Sequence, residues 1–236
     1  MPSLSTIHHL NILIHVTAGS LAMLAGLILL SLPKGDRRHR IGGRITLSLA
    51  GLGIAAALIG AFIFRGRVDL MGVSVLTSYQ IWSGLRSLRL KDGGRRPLDF
   101  LPALILFGLG LGVLYLYRRG GAFYWGPGLV YATVGGMTFY GGWDLLRTAL
   151  PLSWRLRLNP AEHGFKMTSL IGALVSVACG TLLKDNTVYA SLTASGIFMV
   201  LGLVLAVRAA MRTRRNSPGV VPSMSLKARL NTDSDA

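Results

Sequence analysis

Stretches with no Asp, Glu, Lys or Arg dominate the chain: 1–33, 45–64, 70–85, 100–117, 120–143, 167–183 and 186–207. Most of them approach the roughly 20 residues a helix needs to cross a bilayer core. The shorter ones can recruit flanking residues whose charged ends snorkel to the interface. The alternating apolar and polar positions of a membrane barrel are absent, so the pattern predicts helical spans. The expected spans are 10–32, 45–64, a third ending near residue 85, 100–117, 129–146, a sixth beginning near His163, and 187–207. The predicted fold is therefore all-α, a polytopic transmembrane bundle of seven spans occupying residues 1–208. Residues 209–236, with Ser, Pro and Arg and the ending NTDSDA, read as a disordered cytoplasmic tail.

Composition agrees with this pattern. Hydrophobic residues make up 51% of the chain and charged residues 14%, against about a quarter charged in soluble domains. The first apolar run has no basic residue before it and outlasts the core of a signal peptide, so it reads as a retained span. Cys179 is the single cysteine, which excludes an internal disulfide.

A net charge of +16 raises nucleic acid as a partner, but the placement of the basic residues argues otherwise. They cluster at 34–44, 86–96, 147–157 and 208–229, whereas the intervening loops hold Arg65, Arg67, Arg118, Arg119 and Lys184. By the positive-inside rule this asymmetry predicts the N-terminus outside and the C-terminus in the cytoplasm of a cell inner membrane. Anionic lipid headgroups are then the expected partners of the basic loops.

One stretch recurs. Residues 77–88, TSYQIWSGLRSL, return at 138–149 as TFYGGWDLLRTA. Thr77, Tyr79, Trp82, Leu85 and Arg86 correspond to Thr138, Tyr140, Trp143, Leu146 and Arg147. On a helix the Tyr, Trp and Arg of each copy fall at i, i+3 and i+7, on one face. The same offset carries Arg147 to Arg208, which predicts hairpins of spans two and three, four and five, and six and seven added to span one, a parallel repeat.

The predicted topology gathers His39, Tyr79, Trp82, Arg86, Tyr140, Trp143, Asp144, Arg147, His163 and Lys166 at the cytoplasmic ends of four spans. An arginine pair with Lys166 suits a small anion or a lipid headgroup, and the rings suit its apolar part. Aromatic belts and snorkelling arginines supply the structural alternative, in which Asp144 neutralises Arg147 or Lys166. His39, read as a loop residue, and His163 lie at a common depth and are the candidate ligands for haem iron or a metal. His15 lies inside the first span and is a separate candidate. A third reading is a non-catalytic assembly or scaffold subunit, favoured by small-residue helices such as 45–64. Gly108, Gly110 and Gly112 lie within a span and are not a dinucleotide loop. The aromatic loop near 121–128 suits the headgroup interface.

His15 and Gly19, then Lys34-Gly35, His39-Arg40 and Gly43-Arg44, resemble the signature of a family of uncharacterised bacterial integral membrane proteins. Gly84 and Arg86, and later His163, Lys166 and Met167, extend the resemblance over roughly residues 8–183. Thr46 and Lys166 depart from that pattern, where an aromatic residue and an arginine are usual. The resemblance implies a multi-spanning inner-membrane topology and carries no activity with it.

Overall fold

The computed structural model describes residues 4–64, 71–89, 99–120, 127–183 and 187–216. Every regular element among them is helical: α1 Leu4–Ser31, α2 Arg37–Phe62, α3 Met71–Arg89, α4 Phe100–Arg118, α5 Pro127–Leu146, a 3₁₀ turn Arg147–Ala149, α6 Leu152–Leu182 and α7 Thr187–Asn216. The expected turn within 90–98, the aromatic loop at 121–126 and the tail beyond 216 lie outside the described residues.

Five helices are long and apolar enough to cross a membrane: α1, α2, α4, Leu158–Leu182 of α6 and Tyr189–Met211 of α7. Helices α3 and α5, two of the seven expected spans, fall short of that apolarity. The shortfall in α3 has a physical source, because this helix turns Ser74, Thr77, Gln80, Ser83 and Ser87 inward, all buried. Many large apolar side chains elsewhere point outward, among them Leu24, Ile28, Leu104, Ile197 and Val200. A bundle polar within and apolar without is arranged for lipid rather than water.

Two of the three expected hairpins are present, spans four and five and spans six and seven, whereas spans two and three do not pair. α1 packs along α2, α4 along α5, and α6 along α7, while α3 lies chiefly against α6 and also touches α2, α4 and α5. The sequence repeat is thus kept in two helices, α3 and α5, rather than in two matching hairpins. Leu76 meets Gly136 and Tyr79 meets Asp144, so the two copies run parallel.

Small residues set the approach of each pair, as expected where dispersion packing replaces the hydrophobic effect. Gly53 of α2 lies against the backbone of Gly19 in α1. A Cβ on Gly141 of α5 would stand 2.8 Å from both the Ala103 carbonyl oxygen and the Phe107 nitrogen of α4. Gly172 of α6 faces Phe198 of α7, and the Ser176 and Ser195 hydroxyls meet at 2.6 Å beside it. Between α3, α4 and α5 lies an apolar core of Tyr79, Ala103, Leu106, Met137 and Tyr140, with Phe165 of α6 against it.

The turn from α1 to α2 explains the Lys-Gly-x3-His spacing. Gly35 has φ +86°, a conformation costly for a residue with a Cβ. Lys34 Nζ donates to the Leu29 and Leu30 carbonyls, both at 2.9 Å, satisfying orphan acceptors at the α1 C-terminus. The Asp36 carboxylate accepts from the Arg37 N–H and starts α2. His39 is consequently in the first turn of a helix, not in a loop. The stretch 147–162, read as loop, is mostly helical: α6 begins at Leu152 and holds Pro160 within it, and α7 runs past the expected end to Asn216.

Candidate functional site

Three helices bring ionisable groups together at the end of the bundle where α3 finishes and α6 begins. α6 presents Asn159, Glu162 and Lys166 at i, i+3 and i+7, one face of the helix. α5 contributes Trp143 and Asp144 from its last turn, and the 3₁₀ turn that follows supplies Arg147. Tyr79, Ser83 and Ser87 arrive from α3.

Lys166 is the largest fully buried side chain among the described residues, 1% exposed. Its ammonium donates to both oxygens of Asp144, at 2.8 and 2.9 Å, and lies 3.8 Å from Glu162 Oε2. The Tyr79 hydroxyl donates to Asp144 Oδ2 at 2.5 Å. Arg147, 2% exposed, donates to Glu162 Oε2 and to Asn159 Oδ1, and its second NH2 hydrogen reaches the Arg155 carbonyl at 2.8 Å. Trp143 Nε1 donates to Glu162 Oε1 at 2.9 Å, and the Ser87 hydroxyl lies 3.1 Å from Oε2.

The order Asp144, Lys166, Glu162, Arg147 alternates in sign and sums to zero formal charge. That alternation is what makes the burial affordable: an unpaired ion taken out of water costs several kcal/mol, on the order of 3–5 when a buried pair is broken. Ser83 Oγ and Gln80 Oε1 are buried on α3, the same helix as Tyr79, and take no hydrogen bond from the described residues. The site therefore holds polar capacity beyond its internal pairs.

The expected residues divide between this cluster and its surroundings. Tyr79, Trp143, Asp144, Arg147 and Lys166 come together. Tyr140 is one turn away in the apolar core, with its ring 5.9 Å from Phe165. Trp82 leans on Tyr79 at 5.8 Å and is otherwise turned outward. Arg86 does not join Arg147; it pairs with Asp99 at the start of α4, Nε to Oδ1 at 2.8 Å and NH2 to Oδ2 at 2.9 Å. The two arginines of the repeat thus do the same job, each holding an acid near the next helix, at different depths: one partly exposed, one buried.

His163 Nδ1 lies 3.1 Å from the Gly84 carbonyl on α3, and His39 is near enough for the two imidazoles to interact electrostatically. Among the described residues no three His, Cys, Asp or Glu side chains gather as a metal-binding group, so these histidines stand as a pair. His15 is far from both, with Nδ1 2.8 Å from the Gly53 carbonyl on α2. Most of the signature residues therefore read as joints between helices: His15 joins α1 to α2, Lys34 and Gly35 form their turn, and His163, Met167 and Gly84 join α6 to α3.

Glu162, Asn159, Ser87 and Asp99 were not expected. Glu162 is the chain's single glutamate and stands four residues before Lys166 in a sparsely charged stretch, a spacing that pairs side chains on a helix. That signal was available. Asn159, Ser87 and Asp99 carry none, because their partners are far apart in sequence. No family model, curated protein or solved structure matches the chain.

Proposed function

We propose that this chain is a seven-span inner-membrane protein, N-terminus outside, that binds and carries a small anion at the cytoplasmic end of α3, α5 and α6, together with a proton. Helices α3 and α5 are 19 and 20 residues long, as long as α4 with 19. Their lower apolarity goes with buried polar groups, such as Ser83 and Asp144, that neighbouring helices shield. The basic clusters give the orientation.

The observation that carries the reading is Lys166, buried inside a membrane helix and held by Asp144. An ionisable residue in that position marks a substrate or proton pathway by default. All three cations, Lys166, Arg147 and Arg86, already have carboxylate partners, so an added anion is not stabilised by unspent positive charge. It is stabilised if Asp144 takes up a proton, because the neutral carboxyl no longer holds the ammonium and Lys166 is left to pair with the anion. Tyr79 and Ser83 then supply hydroxyls to the ligand. Proton and anion enter together, and the site stays charge-balanced throughout.

The test uses full-length protein in proteoliposomes with radiolabelled phosphate, acetate and succinate. Uptake of one of them, faster with acid outside and abolished by Lys166→Gln, is expected, and Asp144→Asn should remove the pH dependence. No uptake of any probe, with both variants merely less stable, would instead favour a scaffold held together by the same ion pairs. Impermeant maleimide labelling of cysteines placed at Ser5 and Thr213 in a Cys179→Ala background checks the topology, Ser5→Cys reacting in intact cells and Thr213→Cys not.

A further inference from the structure

At the opposite end of α3, the helices α1, α2 and α3 form an open-sided cavity of about 240 Å³. Its room comes from small residues of α2, chiefly Ala56, Ala57 and Gly60. Its polar groups come from one face of α1, His8, Asn11 and His15 at i, i+3 and i+7, with Ser74 of α3 across from them. Among the described residues, no Asp, Glu, Lys or Arg lines it.

The hydrogen bonds define what these groups still offer. A carbonyl oxygen only accepts, so at 2.8 Å from the Gly53 oxygen the His15 Nδ1 carries the ring hydrogen. In the neutral imidazole Nε2 then keeps its lone pair. The Asn11 amide nitrogen donates to the Ala56 carbonyl at 3.0 Å, which leaves its oxygen as a second acceptor. His8 Nδ1 is buried and takes no hydrogen bond from the described residues, while its ring rests on Phe64 at 4.7 Å.

The cavity is therefore apolar-walled, without a charged group among its described lining residues, and supplied with acceptors that seek hydrogen-bond donors. A dry cavity of about 150 Å³ holds benzene, so this one admits a six-membered ring with small substituents. It lies below the roughly 300–1,000 Å³ that encloses a drug-sized ligand, so any tail on the ring stays outside. An anion finds no counter-charge among the described lining residues, and a hydrocarbon leaves His15 Nε2 unpaired. We propose that the cavity binds the ring of a phenol or quinol, one hydroxyl donating to His15 Nε2 and the ring lying over Ala57 and Gly60. None of its residues belongs to the charge cluster, so the two proposals stand or fall separately.

The experiment is equilibrium binding of duroquinol to the full-length protein in lipid nanodiscs, with durene, the same methylated ring lacking oxygens, as the control. Saturable one-site binding of duroquinol and none of durene is expected. Losing one hydrogen bond predicts about tenfold weaker binding in His15→Leu, and Ala57→Leu should abolish binding by filling the ring's place. Because His15 also joins two helices, His8→Ala is the companion variant: His8 is near the start of α1, and its loss should weaken binding while leaving the apo thermal midpoint unchanged. Equal binding of durene, or duroquinol binding indifferent to both His8→Ala and Ala57→Leu, overturns the assignment. A quinol with an isoprenoid tail that binds more tightly than duroquinol assigns the lipid phase as the source, and equal affinity assigns water.

Discussion

Replacing Lys166 by Met removes the ammonium that holds both oxygens of Asp144 and retains most of the side-chain volume. The orphaned carboxylate keeps the Tyr79 hydroxyl as a donor, but loses the ammonium that balances its charge. It can escape the cost of buried charge by taking up a proton, as isolated buried ions do. That escape sets a ceiling. Keeping an aspartate with an ordinary value near 3.9 protonated at pH 7 costs about 4 kcal/mol, at about 1.36 kcal/mol per pH unit. The ceiling agrees with the roughly 3–5 kcal/mol found when one member of a buried pair is deleted. The sign follows from linkage: the folded variant holds a proton that the unfolded chain has released, so the penalty grows as pH rises above about 4. At pH 5 the same reasoning gives about 1.5 kcal/mol. The double variant Asp144→Asn/Lys166→Met keeps an acceptor for Tyr79 and buries no charge, and it should recover most of the loss. Denaturant titration of the purified protein at pH 5 and pH 7, followed by tryptophan fluorescence, measures all of this. A loss under about 1 kcal/mol at pH 7, or an equal loss at both pH values, would refute the claim that Asp144 is held as a buried ion by Lys166.

Two further outcomes follow from the geometry. Arg147→Gln should cost about 3–5 kcal/mol, since it strands Glu162 in the interior, while Arg86→Gln at the matching position should cost less, because that arginine is partly exposed even though Asp99 is buried; the same titration compares them. Gly141→Ala forces a methyl to 2.8 Å from two backbone atoms of α4, which cannot rotate away, and should cost about 1–3 kcal/mol, whereas a methyl at Gly51 of α2 meets nothing within 4 Å and should leave the thermal midpoint unchanged.

The helices were legible because lipid leaves so few options: an uncharged run of about 20 residues is a helix or nothing. Partner choice was not, since Gly84, Gly141 and Gly172 look alike in sequence and each admits a different neighbour. The repeat singled out Tyr79, Trp143 and Arg147, which the fold brings together, yet implied that Arg86 would stand beside Arg147. What separates them is Asp99, which holds Arg86 at the start of α4, and Glu162, which holds Arg147 within the bundle. His39 and the stretch 147–162 were misread for one reason. Basic residues, Pro151 and Pro160 look like a loop, but Pro151 stands just before α6 and Pro160 is held within it, and charged residues at a helix start stay outside the apolar layer.

The polarity of α3 bears on how the chain is made. A helix carrying Ser74, Thr77, Gln80, Ser83 and Ser87 on one side gains little by entering lipid alone, and its main neighbour, α6, is synthesised some 70 residues later. If α3 spans the membrane as proposed, it should be retained at the insertion machinery until α6 arrives with Lys166 and Glu162. A chain truncated after α5 should accordingly be degraded as unassembled, while one truncated after α6 should persist. The charge cluster would then also mark the completion of the bundle.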